Sequence, residues 1–139
     1  MPRKTTKRAS TLSSQTSKTT IVRSEHQEQV GLLNWFHLQF PGVLIFAIPN
    51  GEKRAITVAK RLKAEGVVRG IPDLFVPEWD LWIEMKRTQG GRLSPEQRDI
   101  IRKLENMGHT VIVGLGAAHA SGLILEHVKK LLYMVRESG

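Results

Sequence analysis

"GIPDLFVPEWDLWIEMK", residues Gly70 to Lys86, decides the fold. Two short apolar runs, DLFV at 73–76 and LWIEMK at 81–86, flank the turn-forming PEWD. Runs rich in branched and aromatic residues read as strands, and so short a connection reads as an antiparallel hairpin. Side chains two apart on a strand share a face. Glu84 and Lys86 therefore point one way, and Ile83 and Met85 the other. Pairing the strands through PEWD brings Asp73 to the Glu84–Lys86 end. Two carboxylates and one ammonium then converge at one end of a buried sheet.

Burying unpaired charge is costly, so such a cluster needs a reason. Spacing alone leaves two open. One is a salt bridge from Lys86 to Asp73 or Glu84 at a sheet edge. The other is a divalent cation: Mg²⁺ takes one or two carboxylates, waters and phosphate oxygens, and activates water and phosphodiesters. Lys86 would then orient or activate the attacking water. Glu78 and Asp80, beside the turn, read as solvated.

Upstream, SEHQ fits a capping box, with Ser24 as N-cap and Gln27 three residues on. Val30, Leu33, Phe36 or His37, and Phe40 recur at helical spacing, which predicts a helix over 25–39. Pro41-Gly42 breaks it. VLIFAI at 43–48 reads as a buried strand, and PNG at 49–51 as a turn. AITVAKRLKAEG predicts a helix over 55–65 that stops at Gly66. Downstream, TQGGR is a loop, and SPEQ starts a helix with Ser94 as N-cap, Pro95 first and Gln97 third. That helix runs to about Met107. TVIVGL at 110–115 is a strand, and 117–135 a last helix with Leu123, Ile124, Val128, Leu131 and Leu132 as its apolar stripe. The order predicts an α/β domain over 24–136, a mixed central sheet flanked by helices.

The chain has 139 residues, enough for one domain with a real core. Its formal charge of +8 makes a polyanion the first partner to consider. With no cysteine, disulfides and thiolate metal sites are excluded. No apolar run reaches the roughly 20 residues of a membrane span. The five histidines show no zinc-like pairing and read as structural or surface groups. Trp35, Trp79 and Trp82 read as core or interface residues. Residues 1–23, with six Lys or Arg and no acid, read as a disordered basic tail. A phosphate-tracking arm and an organelle transit peptide are both open for it.

Pro72-Asp73 followed by a strand and Glu84-Met85-Lys86 resembles the signature of the PD-(D/E)XK nuclease superfamily. The wider stretches SEHQEQVGLLNWF, FAIPNGEKR, AKRLKAEGVVRGIPDLFVP, LWIEMKR and GRLSPEQRDIIRKLENMGHTVIV resemble stand-alone VRR-NUC domains of phages and bacteria. The similarity covers about residues 24–132. It implies a restriction-endonuclease-like core of order α-β-β-β-α-β, with the 55–65 helix inserted. It also implies a Mg²⁺- or Mn²⁺-dependent endodeoxyribonuclease that favours branched DNA. Stand-alone relatives are similar to homodimeric Holliday-junction resolvases, which would place this chain in the cytoplasm in DNA repair or recombination. A flap or nicking endonuclease, a DNA-binding module without catalysis and an RNA-binding protein are the alternatives.

The resemblance also implies residue roles. Asp73 and Glu84 match the metal-binding acids, the Met85 backbone carbonyl a further ligand, and Lys86 the catalytic lysine. Glu25 is the best match for the acid of the first helix, with Glu28 its rival, and Gln29 matches the glutamine that accompanies it. Gln97 matches a glutamine of the following helix, although the capping box with Ser94 explains it without chemistry. Six cations fall between Lys53 and Arg69, and six between Lys86 and Lys103. Lys53, Arg54, Arg69, Arg87 and Arg92 are the expected DNA contacts, Arg87 and Arg92 beside the scissile phosphate.

Overall fold

Strand β3 (Leu81–Lys86) is the centre of the molecule, and the rest is arranged by which of its faces each element covers. A computed structural model describes residues 21–49 and 55–138. Most of the basic tail, the centre of the PNG turn, and Lys53 and Arg54 lie outside the described residues.

The described chain runs α1 (Glu25–Gln39), β1 (Phe46–Ala47), α2 (Ile56–Ala64), β2 (Leu74–Val76), β3, α3 (Pro95–Asn106), β4 (Thr110–Leu115) and α4 (Ala117–Glu137). The sheet order is β1-β2-β3-β4, antiparallel except for the parallel β3–β4 pair. A parallel pair needs a long crossover, and α3 supplies it. The sheet is therefore mixed and flanked by helices, as the order of elements requires.

The hairpin closes through a single 3₁₀ turn, Pro77–Trp79. Asp80 follows at φ 49°, a left-handed conformation that Asp tolerates better than most residues. Its carboxylate lies 2.6 Å from His109 Nδ1, so Asp80 is paired rather than simply solvated. His109 sits just before β4, and the pair ties the hairpin turn to the start of that strand.

The two faces of β3 have different fates. Leu81, Ile83 and Met85 are fully buried with Leu74 and Val76 of β2, Leu32 and Phe36 of α1, and Ala120 and Ile124 of α4. Burying each large apolar side chain contributes roughly 1.5–3 kcal/mol. Trp82, Glu84 and Lys86 face the other way. Helix α3 covers that side, turning Ile101 and Leu104 inward.

Two expected apolar patterns are corrected. The buried line of α1 is Glu28, Leu32 and Phe36, while Val30 is 44% exposed. Phe36 of the expected stripe is fully buried and Leu33 and Phe40 pack against the core, so Val30 is what turns outward, and Glu28 and Leu32 complete the inward line. The expected buried strand over 43–48 shrinks to two residues, both exposed, with Ile45 alone in the core. β1 pairs only with β2 and so is an edge, where an apolar run need not be buried. Phe46 instead packs its ring on Phe75, 5.8 Å away.

Candidate active site

The β2–β3 register sets Leu74 opposite Ile83. Continued by one step it sets Asp73 opposite Glu84, and by two, Pro72 opposite Met85. Proline has no N–H, so Pro72 donates nothing to the Met85 carbonyl opposite it. The Met85 N–H donates to Asp73 Oδ2 at 2.7 Å, a bond made where the ladder ends. It holds the Asp73 carboxylate against the backbone of the Glu84-Met85-Lys86 strand.

Glu25, in the first turn of α1, reaches the same place. One carboxylate oxygen from each of Glu25, Asp73 and Glu84 lies within 4.8 Å of the other two. Glu84 is fully buried and Lys86 is 7% exposed. Lys86 Nζ stands 3.6 Å from Glu84 Oε1, so the salt-bridge geometry expected from spacing is present as well. It does not satisfy the cluster, because Glu84 Oε2 is buried and no N–H or hydroxyl of the described residues donates to it.

Burial pushes the Glu84 carboxyl up to about 8, reinforced by the charge of Asp73, a hydrogen bond with it and the charge of Glu25; Lys86 pulls the other way. The metal-free cluster thus holds on to a proton more tightly than separate carboxylates would. Three acids whose oxygens converge to within 4.8 Å form an all-oxygen donor set that suits a hard divalent cation. Bound metal displaces protons from its ligands.

Gln97 settles into two roles at once. Its Oε1 accepts from the Ser94 N–H at 2.8 Å, and its own N–H donates to Ser94 Oγ, completing the capping box of α3. Its Nε2 donates to Glu84 Oε1 at 2.9 Å. The capping bond orients the amide, with oxygen to the backbone and nitrogen to the acid. Gly70 lets this helix start approach. A Cβ on Gly70, at φ 88°, would lie 2.6 Å from the Glu96 carbonyl.

A cleft of about 330 Å³ opens beside the acids, lined by Ser24, Glu25, Lys86, Arg87, Gly90, Gly91 and Arg92. Arg87 and Arg92 both line this cleft. Gly91 lies so close that a Cβ would meet Lys86 Cβ at 2.9 Å, which folds the loop back over the lysine. Arg69 is exposed and is not part of this lining. Gln29 is half-buried, one turn along α1 from Glu25.

The rival acid does not join the cluster. Glu28 is buried, and its Oε2 accepts from the Ala117 N–H at 2.6 Å. Ser24 and the Gly90-Gly91 pair are cleft residues that the sequence reading assigned only to a cap and a loop. The doubled glycine was the available signal, since it permits close backbone approach. His119 accepts from the Leu115 N–H, and His127 lies 3.1 Å from the Trp79 carbonyl, which fits structural roles.

A mixed four-stranded sheet flanked by helices, with acids and a lysine at one end of its central strand, is the restriction-endonuclease-like architecture. More specifically, the chain carries a VRR-NUC-like domain. Among solved structures it is similar to a "VRR_NUC domain protein", with 26% identity and a TM-score of 0.65 over 77% of this chain and 89% of that one. No protein-family model matches the chain, and no curated protein matches it.

Proposed function

We propose that the chain is a Mg²⁺- or Mn²⁺-dependent endodeoxyribonuclease selective for branched DNA, and that it resolves four-way junctions. The observation that carries this reading is the convergence of Glu25, Asp73 and Glu84 beside a buried lysine. The likeness to a VRR_NUC domain protein supports a nuclease.

Asp73, Glu84 and Glu25, with the Met85 carbonyl, would hold the cation. When bound, it supplies charge neutralisation at phosphorus and a lowered pKa for water. Lys86 orients the attacking water through its ammonium. Gln97 fixes the rotamer of Glu84 from the α3 side. Arg87 and Arg92 hold the phosphate in the cleft, and Arg92 and Arg87 carry no sequence information in doing so. Hydrolysis leaves a 5′-phosphate and a 3′-hydroxyl. Arg69, Lys53 and Arg54 add further phosphate contacts.

Resolution of a junction requires two symmetric cuts, which favours a twofold dimer. The end of α4 offers a self-association surface. Leu132, Tyr133, Met134 and Val135 are 62–70% exposed, and with Trp79 this end borders a groove of about 750 Å³. Contiguous exposed apolar surface of this kind marks interaction sites.

The test compares gel cleavage of a mobile four-way junction, a flap and a linear duplex with Mg²⁺ or Mn²⁺. Preferential, paired incision of the junction is expected. Equal cutting of all three would remove the resolvase claim and leave a flap or nicking enzyme. Junction binding without cutting would leave a DNA-binding module.

A further inference from the structure

Glu28 is a buried acid that the site chemistry does not use. It lies one turn along α1 from Glu25 and is 7% exposed. Its partner, Ala117, is the first residue of α4 and 89 positions away in the chain. The first N–H groups of a helix have no intrahelical acceptor. Gly116, the cap residue of α4, makes no side-chain capping bond. Glu28 supplies the missing acceptor, and its charge suits the positive end of the helix.

The same junction supports the lysine strand. Gly116 N–H donates to the Lys86 carbonyl at 2.8 Å. There is little slack here. A Cβ on Gly116 would lie 3.1 Å from Glu28 Oε2 and 2.5 Å from Thr88 Cγ2. Residues three apart on a helix are neighbours, so fixing Glu28 fixes the turn that carries Glu25. The Ser24–Gln27 capping box closes that turn only on itself. The Glu28 bond connects it to the far end of the chain and, through Gly116, to β3.

We propose that Glu28 is a positioning residue that anchors the first turn of α1 to Gly116-Ala117 and so sets Glu25 against Asp73 and Glu84. This rests on the reading of Glu25 as a metal ligand. Glu28 itself is turned to α4 and stands outside the acid cluster. Cation affinity then depends on the length of the residue at 28, and not only on its charge.

Calorimetric titration of Mn²⁺ into the full chain tests this, with thermal unfolding of each variant alongside. Glu28→Asp keeps the charge and shortens the side chain by one methylene. It is expected to weaken Mn²⁺ binding roughly tenfold, in the range seen when groups that orient metal ligands are lost. Glu28→Gln keeps the length and an acceptor oxygen, and is expected to bind within about twofold of wild type. Glu28→Asp should add little once Glu25→Ala is present, because the two act through one ligand. Wild-type affinity in Glu28→Asp with a lowered melting temperature would make Glu28 a structural cap only and overturn the proposal. Independent, additive losses in the double variant would overturn it too. If Glu25→Ala alone binds Mn²⁺ as wild type does, the ligand assignment fails first and this inference falls with it.

Discussion

The proposed chemistry rests on Asp73, Glu84 and Lys86, with Glu25 completing the acid cluster. Asp73 is held by the Met85 amide, Glu84 by Gln97, and Lys86 lies beside Glu84 under the folded-back loop. Asp73→Asn or Lys86→Ala is expected to reduce junction cleavage by about a hundredfold or more while sparing junction binding. Gel cleavage and mobility shift on the same preparations check this. Glu84 also predicts a pH dependence. Its folded pKa, about 8, lies above the ordinary 4.5, so the folded metal-free state holds a proton that the unfolded chain releases. The stability this contributes is complete below about pH 4.5 and lost as pH rises through about 8. Between pH 6 and 9 the metal-free melting temperature should therefore fall, with a smaller fall in Glu84→Gln; equal slopes in calorimetric scans would contradict the assignment. The hairpin residues were legible in the sequence because a period of two places Glu84 and Lys86 together. The role of Glu28 was not, because its partner lies 89 residues away and no local pattern announces it.

The elements are positioned by close approaches at their ends. Both α1 and α3 begin at a capping box, and each delivers a polar side chain to the acids. These starts were readable because SEHQ and SPEQ are local signals. The length of β1 was not, since an apolar run says nothing about whether a strand lies at an edge. Gly70 shows how strongly one element depends on another. Gly70→Ala would force a left-handed conformation on alanine and drive its Cβ into the first turn of α3. A loss of about 1–3 kcal/mol is expected, together with reduced cleavage as Gln97 moves off Glu84. Denaturant unfolding and cleavage assays of the purified variant measure both effects.

At the scale of the whole molecule, charge and exposed apolar surface define how it meets its partners. No helix among the described residues is long and apolar enough to cross a membrane. The net charge of +8 suits a polyanionic substrate, and residues 1–20 carry five of the cations. Removing residues 1–20 should weaken DNA binding mainly at low salt and flatten the salt dependence by up to about one unit of slope per lost phosphate contact. Binding titrations at several salt concentrations check this. The exposed end of α4 predicts a dimer of the 15.6 kDa chain in light scattering, and Leu132→Glu with Val135→Glu should give a monomer. The layered α/β order was legible from periodicity and turn residues. The shape of the cleft was not, because it is made by Ser24, Lys86 and Arg92 meeting across the fold.

If Glu25, Asp73, Glu84 and Lys86 form one metal-dependent cutting site, cleavage of an end-labelled four-way junction by wild type and Asp73→Asn, each with Mg²⁺ and with a chelator, reads it out. Paired incisions are expected from wild type with Mg²⁺, and none in the other three reactions. Undiminished cutting by Asp73→Asn, or cutting by wild type in the chelator, would contradict it.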